Sequence, residues 1–136
     1  MQDGIIRDET GAQTLIGYVL DVGQGDGRAR CHLEIGPQHL NRQDSLHGGI
    51  AMSVLDNALG ATASLSVDDS GRQPFTTLSL TVSFLAPGRP GRAVAEGWIT
   101  GGGRKTLFLE GALTHEDGTV IARAQGVFKK SDKGPR

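Results

Sequence analysis

The sequence predicts an α+β fold in which an antiparallel sheet of six strands curls around one long helix. Three observations carry this expectation. Residues 50–66 form the one stretch that is both long enough for a helix and apolar on nearly every side. Residues 76–86 alternate apolar and polar side chains, the period of a strand with one buried face. The runs after that strand are joined by links too short for crossover helices, so successive strands are expected to be antiparallel.

Taken in order, residues 1–13 are polar and read as a loosely held lead-in. Residues 14–22 and 28–35 carry β-favouring side chains on either side of Gly23-Gln24-Gly25-Asp26-Gly27, a hairpin turn. Those glycines do not make a dinucleotide loop, because a strand pattern follows them where that motif needs a helix. In the helix 50–66, Ser53, Asp56, Asn57, Gly60 and Ser64 leave only a narrow polar stripe, so other structure must enclose it. Strand 76–86 sets Leu78, Leu80, Val82 and Phe84 against Thr77, Ser79, Thr81 and Ser83. Strands 92–100, 105–115 and 119–129 follow, punctuated by Pro87-Gly88-Arg89-Pro90-Gly91, Gly101-Gly102-Gly103 and Glu116-Asp117-Gly118. Residues 131–136 read as a frayed tail.

At 136 residues the chain matches the ~100–200 of one domain. Hydrophobic residues make up 37%, and 21 glycines raise the small-plus-apolar share to that of a folded protein. Fourteen basic and 15 acidic residues give a net charge of −1, too little for a polyanion partner, so nucleic-acid binding is not expected. A single cysteine, Cys31, can form neither an intrachain disulfide nor a zinc knuckle, which suits a reducing compartment. The acidic start has no signal-peptide core and no run is long enough to span a bilayer, so a cytoplasmic protein without membrane contact is expected.

The densest cluster of unusual residues is Asn41-Arg42-Gln43-Asp44-Ser45-Leu46-His47-Gly48-Gly49, leading into the helix that carries Asp56. Two glycines at a helix start suggest close backbone approach to a ligand, with free N–H groups and the positive end of the dipole aimed at it. Such donors suit an oxyanion. His47 has no partner at a metal-ligand spacing among His32, His39 and His115, so no metal site is expected. Gly101-Gly102-Gly103-Arg104-Lys105-Thr106 is not a phosphate loop, since Arg104 stands where glycine should precede the lysine and a strand follows.

The spacing of Asn41, His47-Gly48-Gly49, Asp56 and the later Val82-Ser83-Phe84-Leu85-Ala86-Pro87 resembles the hotdog-fold acyl-CoA thioesterases of the phenylacetate-pathway type, over about residues 33–129. The resemblance implies a hotdog fold and hydrolysis of an acyl-CoA to free CoA and an acid, coenzyme A entering with the substrate and no separate cofactor. It implies that the Gly48 N–H polarises the thioester carbonyl and that Asp56 is general base or nucleophile. Asn41 would orient the water or the carboxylate, His47 would shape the turn, and Thr77 would assist the water. On strict alternation Thr77 faces away from Leu78 and Leu80, so it reaches the site only across a partner or through an irregular strand. Gly49, Arg89, Arg104 and Lys105 are candidates for holding the CoA portion. The resemblance further implies a homodimer with shared active sites, within a homotetramer.

Two other readings compete. A hydratase or dehydratase of the same fold would need an Asp–His pair in the loop before the helix, for which only Asp44 and His47 are available. A non-catalytic acyl-CoA-binding module that controls transcription would need a DNA-binding segment, which the short acidic start does not offer. The remaining glycines are assigned to turns, so Gly102→Ala is expected to cost little in rate.

Overall fold

The computed structural model describes residues 4–136. Strand β1 (Ile5–Ile6), helix α1 (Gly11–Ile16), strands β2 (Val19–Asp21) and β3 (Arg30–Ile35), and helix α2 (Gly48–Leu65) come first. Strands β4 (Phe75–Phe84), β5 (Gly91–Gly102), β6 (Thr106–His115) and β7 (Val120–Lys130) follow. They form one antiparallel sheet in the order β1-β2-β3-β5-β6-β7-β4, against whose concave face α2 packs. This is the expected α+β architecture, with a seventh, two-residue strand at one edge.

Helix α2 starts at Gly48, two residues before the apolar run, because the His47 side chain caps it: Gly49 N–H donates to His47 Nδ1 at 2.9 Å. Ala51, Val54, Leu55, Ala58 and Leu59 are buried against Leu107, Leu109, Leu113 and Phe128 of the sheet. The helix lies unusually close to β5 and β6. A Cβ on Gly97 would come within 2.8 Å of Thr62 Oγ1, and one on Gly111 within 2.4 Å of Leu59 Cδ1. These glycines therefore serve packing rather than turns. Thr62, fully buried, donates to Ala58 O at 2.7 Å and accepts from Ala29 N at 3.0 Å, tying the helix to the start of β3.

Several expectations are corrected. Residues 1–3 of the expected lead-in lie outside the described residues, but the rest of it is structured. Ile5 and Ile6 pair with β2, and Thr10 caps α1 by accepting from Gln13 N at 3.1 Å. The strand expected over 14–22 thus loses its first half to a helix that ends on Gly17 at φ 89°. Buried Gln13 holds the turn together, donating to Ile6 O at 2.8 Å and Tyr18 O at 3.2 Å. The tail is fastened as well: Ser131 N donates to Pro74 O at 3.0 Å, and the Gln73 amide to Lys133 O at 2.8 Å.

Strands β4 and β5 are not neighbours. The link over 85–90 crosses the end of the sheet, its Leu85 N–H donating to Ile121 O at 2.8 Å, and leaves β4 as an outer edge paired only with β7. Gly102 is not the neutral turn residue expected: it sits at φ 106°, and a Cβ there would come within 2.4 Å of Thr106 O. Gly103, with nothing near its Cβ direction, is the tolerant position of that turn.

Candidate active site

The expected site residues fall into two groups along α2. The first surrounds its start. Asn41 Oδ1 accepts from Gln43 N at 2.9 Å and Ser45 N at 3.3 Å, while its own N–H donates to Ser45 O at 2.8 Å. The asparagine oxygen therefore builds the turn, and its amino group donates to nothing among the described residues. Asp44 takes left-handed backbone at φ 56°, which an Asx residue tolerates. The loop is pinned below by buried His39. That ring accepts from Gly36 N at 3.0 Å through Nδ1, which leaves Nε2–H to donate to Ile16 O at 2.7 Å.

The Gly48 N–H also donates to no acceptor among the described residues. Its missing side chain leaves room for Phe84, whose ring would lie 3.3 Å from a Cβ there. Asn41, Gly48, Phe84 and Pro87 line an open cavity of about 390 Å³. Phe84 is 53% exposed, whereas the alternation of its strand places it on the apolar face with Leu80 and Val82.

The second group lies in the middle of α2. Thr77 Oγ1 donates to Asp56 Oδ1 at 2.6 Å. Thr77 reaches inward because β4 slips register between Thr77 and Ser79. The same bulge turns Leu78 outward, 54% exposed, where alternation had expected it in the core. Burial raises the Asp56 carboxyl above the usual carboxylate range, and the Thr77 hydrogen bond opposes that rise. Burial likewise raises Tyr18, whose phenol lies close enough to feel the Asp56 charge, to about 12. A cavity of about 250 Å³ runs beside Asp56, bordered by Gly60, Ser64, Thr77 and Phe128.

These two groups do not meet within one protomer. Gly48 and Asp56 are eight residues apart on one helix, or ~12 Å at 1.5 Å per residue, too far for both to serve one carbonyl.

The cations are also divided. Arg89 follows Gly88, whose carbonyl accepts from Leu46 N at 2.7 Å, near the Gly48 group. Arg104 and Lys105 occupy the β5–β6 turn, which the pairing of Lys105 O with Lys130 N and of Lys130 with Phe75 sets at the Thr77 end of β4. All three are exposed, and none joins an ion pair among the described residues. The Asp44–His47 pair required of a hydratase is not formed: His47 Nδ1 is occupied by Gly49 N–H, and Asp44 is exposed. No cluster of three or more His, Cys, Asp or Glu among the described residues could hold a metal. No helix among them is long and apolar enough to cross a membrane.

One long helix packed across a single antiparallel sheet is the hotdog arrangement. The model of the thioesterase superfamily matches residues 43–122, and the chain belongs to that superfamily. A Saccharolobus solfataricus protein described as an esterase is 33% identical over 100 residues, covering 74% of this chain and 69% of that one. Human acyl-coenzyme A thioesterase 13 is 23% identical over 115 residues, covering 83% of this chain and 80% of its own. Among solved structures, the BH2602 protein of Bacillus halodurans, determined with CoA, superposes with a TM-score of 0.82 and 26% identity over 94% of this chain and 83% of that one. The PaaI protein of E. coli, from the phenylacetic acid degradation operon, gives a TM-score of 0.78 at 20% identity over 94% and 88%, a likeness of fold. The protein is a hotdog-fold thioesterase.

Proposed function

We propose that the protein hydrolyses acyl-CoA thioesters at a site completed by two copies of the chain. The observation that carries this is the division of the machinery: a free N–H at Gly48 and a hydrogen-bonded carboxylate at Asp56, ~12 Å apart on one helix. In a two-fold dimer, Gly48 and Asn41 of one copy face Asp56 and Thr77 of the other. The exposed edge of β4 favours this arrangement. Antiparallel pairing of two such edges lays the Phe84 end of one copy against the Thr77 end of its partner, which brings unlike halves together.

In that site the Gly48 N–H, at the positive end of α2, donates to the thioester oxygen and stabilises the charge that develops there. Asp56 Oδ1 is held by Thr77, leaving Oδ2 to take a proton from water as the water attacks the carbonyl carbon. The tetrahedral intermediate collapses with loss of CoA thiolate, a leaving group good enough to need no metal. Burial suits the carboxylate to this task by making it a stronger base than a solvated aspartate. Asn41, through its unused amino group, positions the carbonyl or the water, and His47 fixes the turn that aims Gly48.

The CoA identity is supported by the names of the human relative and of the B. halodurans structure. Arg104 and Lys105 of one copy, with Arg89 of the other, would meet at the paired edge and take the phosphates. The protein acts in the cytoplasm as a homotetramer of two such dimers. A panel of acyl-CoA esters with detection of free thiol tests the proposal. Asp56→Asn is expected to lower kcat by at least ~10²-fold on every active ester while keeping the fold, and near-normal turnover by that variant would overturn it.

A further inference from the structure

Two cavities flank the place of the thioester, and their linings differ in charge. The one beside Asp56 is bordered by four ionisable side chains, Glu9, Asp56, Arg72 and Arg136. The 390 Å³ cavity beside Gly48 has none among the described residues. Leu46, Ala51 and Ile121 make its floor, and Phe84, Leu85 and Pro87 its walls. The Asn41 side-chain oxygen at its rim is taken up by Gln43 N and Ser45 N.

The floor is closed. Leu46, Ala51 and Ile121 are buried, Leu46 N donates to Gly88 O at 2.7 Å, and a Cβ on Gly88 would come within 2.7 Å of Leu46 Cβ. The walls are open to water: Phe84 is 53% and Leu85 57% exposed. Phe84 also stands at the right place. A Cβ on Gly48 would lie 3.3 Å from Phe84 Cζ, so the tip of the ring adjoins the residue whose N–H is assigned to the thioester oxygen. A blind apolar cavity does not suit the CoA arm, which carries amides along its length and ends on phosphates that need solvent or cations. It suits the other arm of the thioester, whose burial covers the exposed walls.

We propose that the acyl group lies in this cavity, in the copy that supplies Gly48, packed on Phe84 and Leu85, and that the acyl groups accepted are uncharged and apolar. The proposal rests on the proposed function, since it starts from a carbonyl held at Gly48. Phe84 and Leu85 are then specificity-determining residues, and the charged cavity beside Asp56 is left to the CoA side of the substrate.

The experiment uses two pairs of esters that differ by one carboxylate: hexanoyl-CoA with hexanedioyl-CoA, and benzoyl-CoA with 4-carboxybenzoyl-CoA. Wild-type protein, Phe84→Ala, Leu85→Lys and Asp56→Asn are assayed on all four, and the inhibition constant of free CoA is measured for each protein. Wild type is expected to favour the uncharged member by at least ~10²-fold in kcat/KM, because the cavity offers a carboxylate no partner. Leu85→Lys supplies that partner and is expected to narrow the preference about tenfold. Phe84→Ala is expected to lower kcat/KM for the uncharged ester about tenfold through lost apolar contact, with the free-CoA constant within about twofold of wild type. Leu85 is exposed and its N–H bond to Ile121 O does not involve the side chain, so the Leu85→Lys arm stands even if Phe84→Ala does not fold.

Equal wild-type turnover within a pair overturns the proposal, as does preference for the carboxylate ester or inertness to all four. A Leu85→Lys variant with the wild-type preference also overturns it. So does a Phe84→Ala variant that weakens free CoA as much as it slows the ester, since the ring would then line the CoA arm. The proposed function fails separately, if Asp56→Asn still hydrolyses an active ester at the wild-type rate.

Discussion

Thr77 Oγ1 donates a 2.6 Å hydrogen bond to Asp56 Oδ1, joining the edge strand β4 to the middle of the buried helix α2. The bond exists because β4 bulges after Thr77, and it fixes which carboxylate oxygen is free. It also opposes the rise that burial imposes on the Asp56 carboxyl.

That opposition has a measurable sign. As a base, Asp56 works deprotonated, so kcat/KM is expected to climb with pH through its raised pKa and then level. Thr77→Val removes the donor that favours the charged carboxylate, and the acidic limb is expected to move to higher pH. The plateau should fall by about fivefold to tenfold, the effect of one hydrogen bond. A pH profile of both proteins checks this. A limb that stays fixed or moves to lower pH would separate Thr77 from the base.

The role of the Gly48 N–H can be isolated at one position. Gly48 is the first residue of α2, where proline is tolerated, and His47 before it has ψ 132°, the extended backbone that proline requires. Gly48→Pro and Gly48→Ala both bring a Cβ toward the movable ring of Phe84, but only the first deletes the N–H. Gly48→Pro is expected to lose ~10²–10³-fold in kcat, and Gly48→Ala much less. Gly103→Ala serves as the neutral glycine control, whereas Gly102→Ala is expected to lower the melting temperature by straining the β5–β6 turn.

Arg104 and Lys105 are assigned to phosphates rather than to chemistry. The double alanine variant is expected to raise KM for an acyl-CoA about tenfold at low salt, with kcat nearly unchanged. The same acyl group on N-acetylcysteamine, which has no phosphates, should show no change. Steady-state kinetics on both thioesters distinguishes the two outcomes.

Much of this was legible in the sequence. The apolar run of α2 and the four strands after it led to the fold, and the Asn41, Gly48, Asp56 spacing picked out the candidate residues that the structure sorts into two groups along α2. What escaped depended on local irregularity or on contacts far apart in sequence. The alternation of 76–86 gave the wrong face for Leu78 because one bulge reverses the phase, and that reversal is what brings Thr77 to Asp56. Helix α1 was hidden by its brevity, although Thr10-Gly11-Ala12-Gln13 carries the spacing of a capping box. Phe84 over Gly48 depends on packing that no periodicity records. Counting glycines suggested turns, whereas Gly97 and Gly111 are small because the helix presses on them.

The separation of Gly48 from Asp56 makes the shared site the central claim, and mixing two inactive variants tests it most directly. Gly48→Pro and Asp56→Asn protein are unfolded together, refolded as a mixture and assayed on an active acyl-CoA. If each site draws Gly48 from one copy and Asp56 from its partner, half the dimers are hybrids with one intact site, and about a quarter of wild-type activity is expected to return. A mixture no more active than the two variants alone, with hybrids shown to have formed, would contradict the shared site.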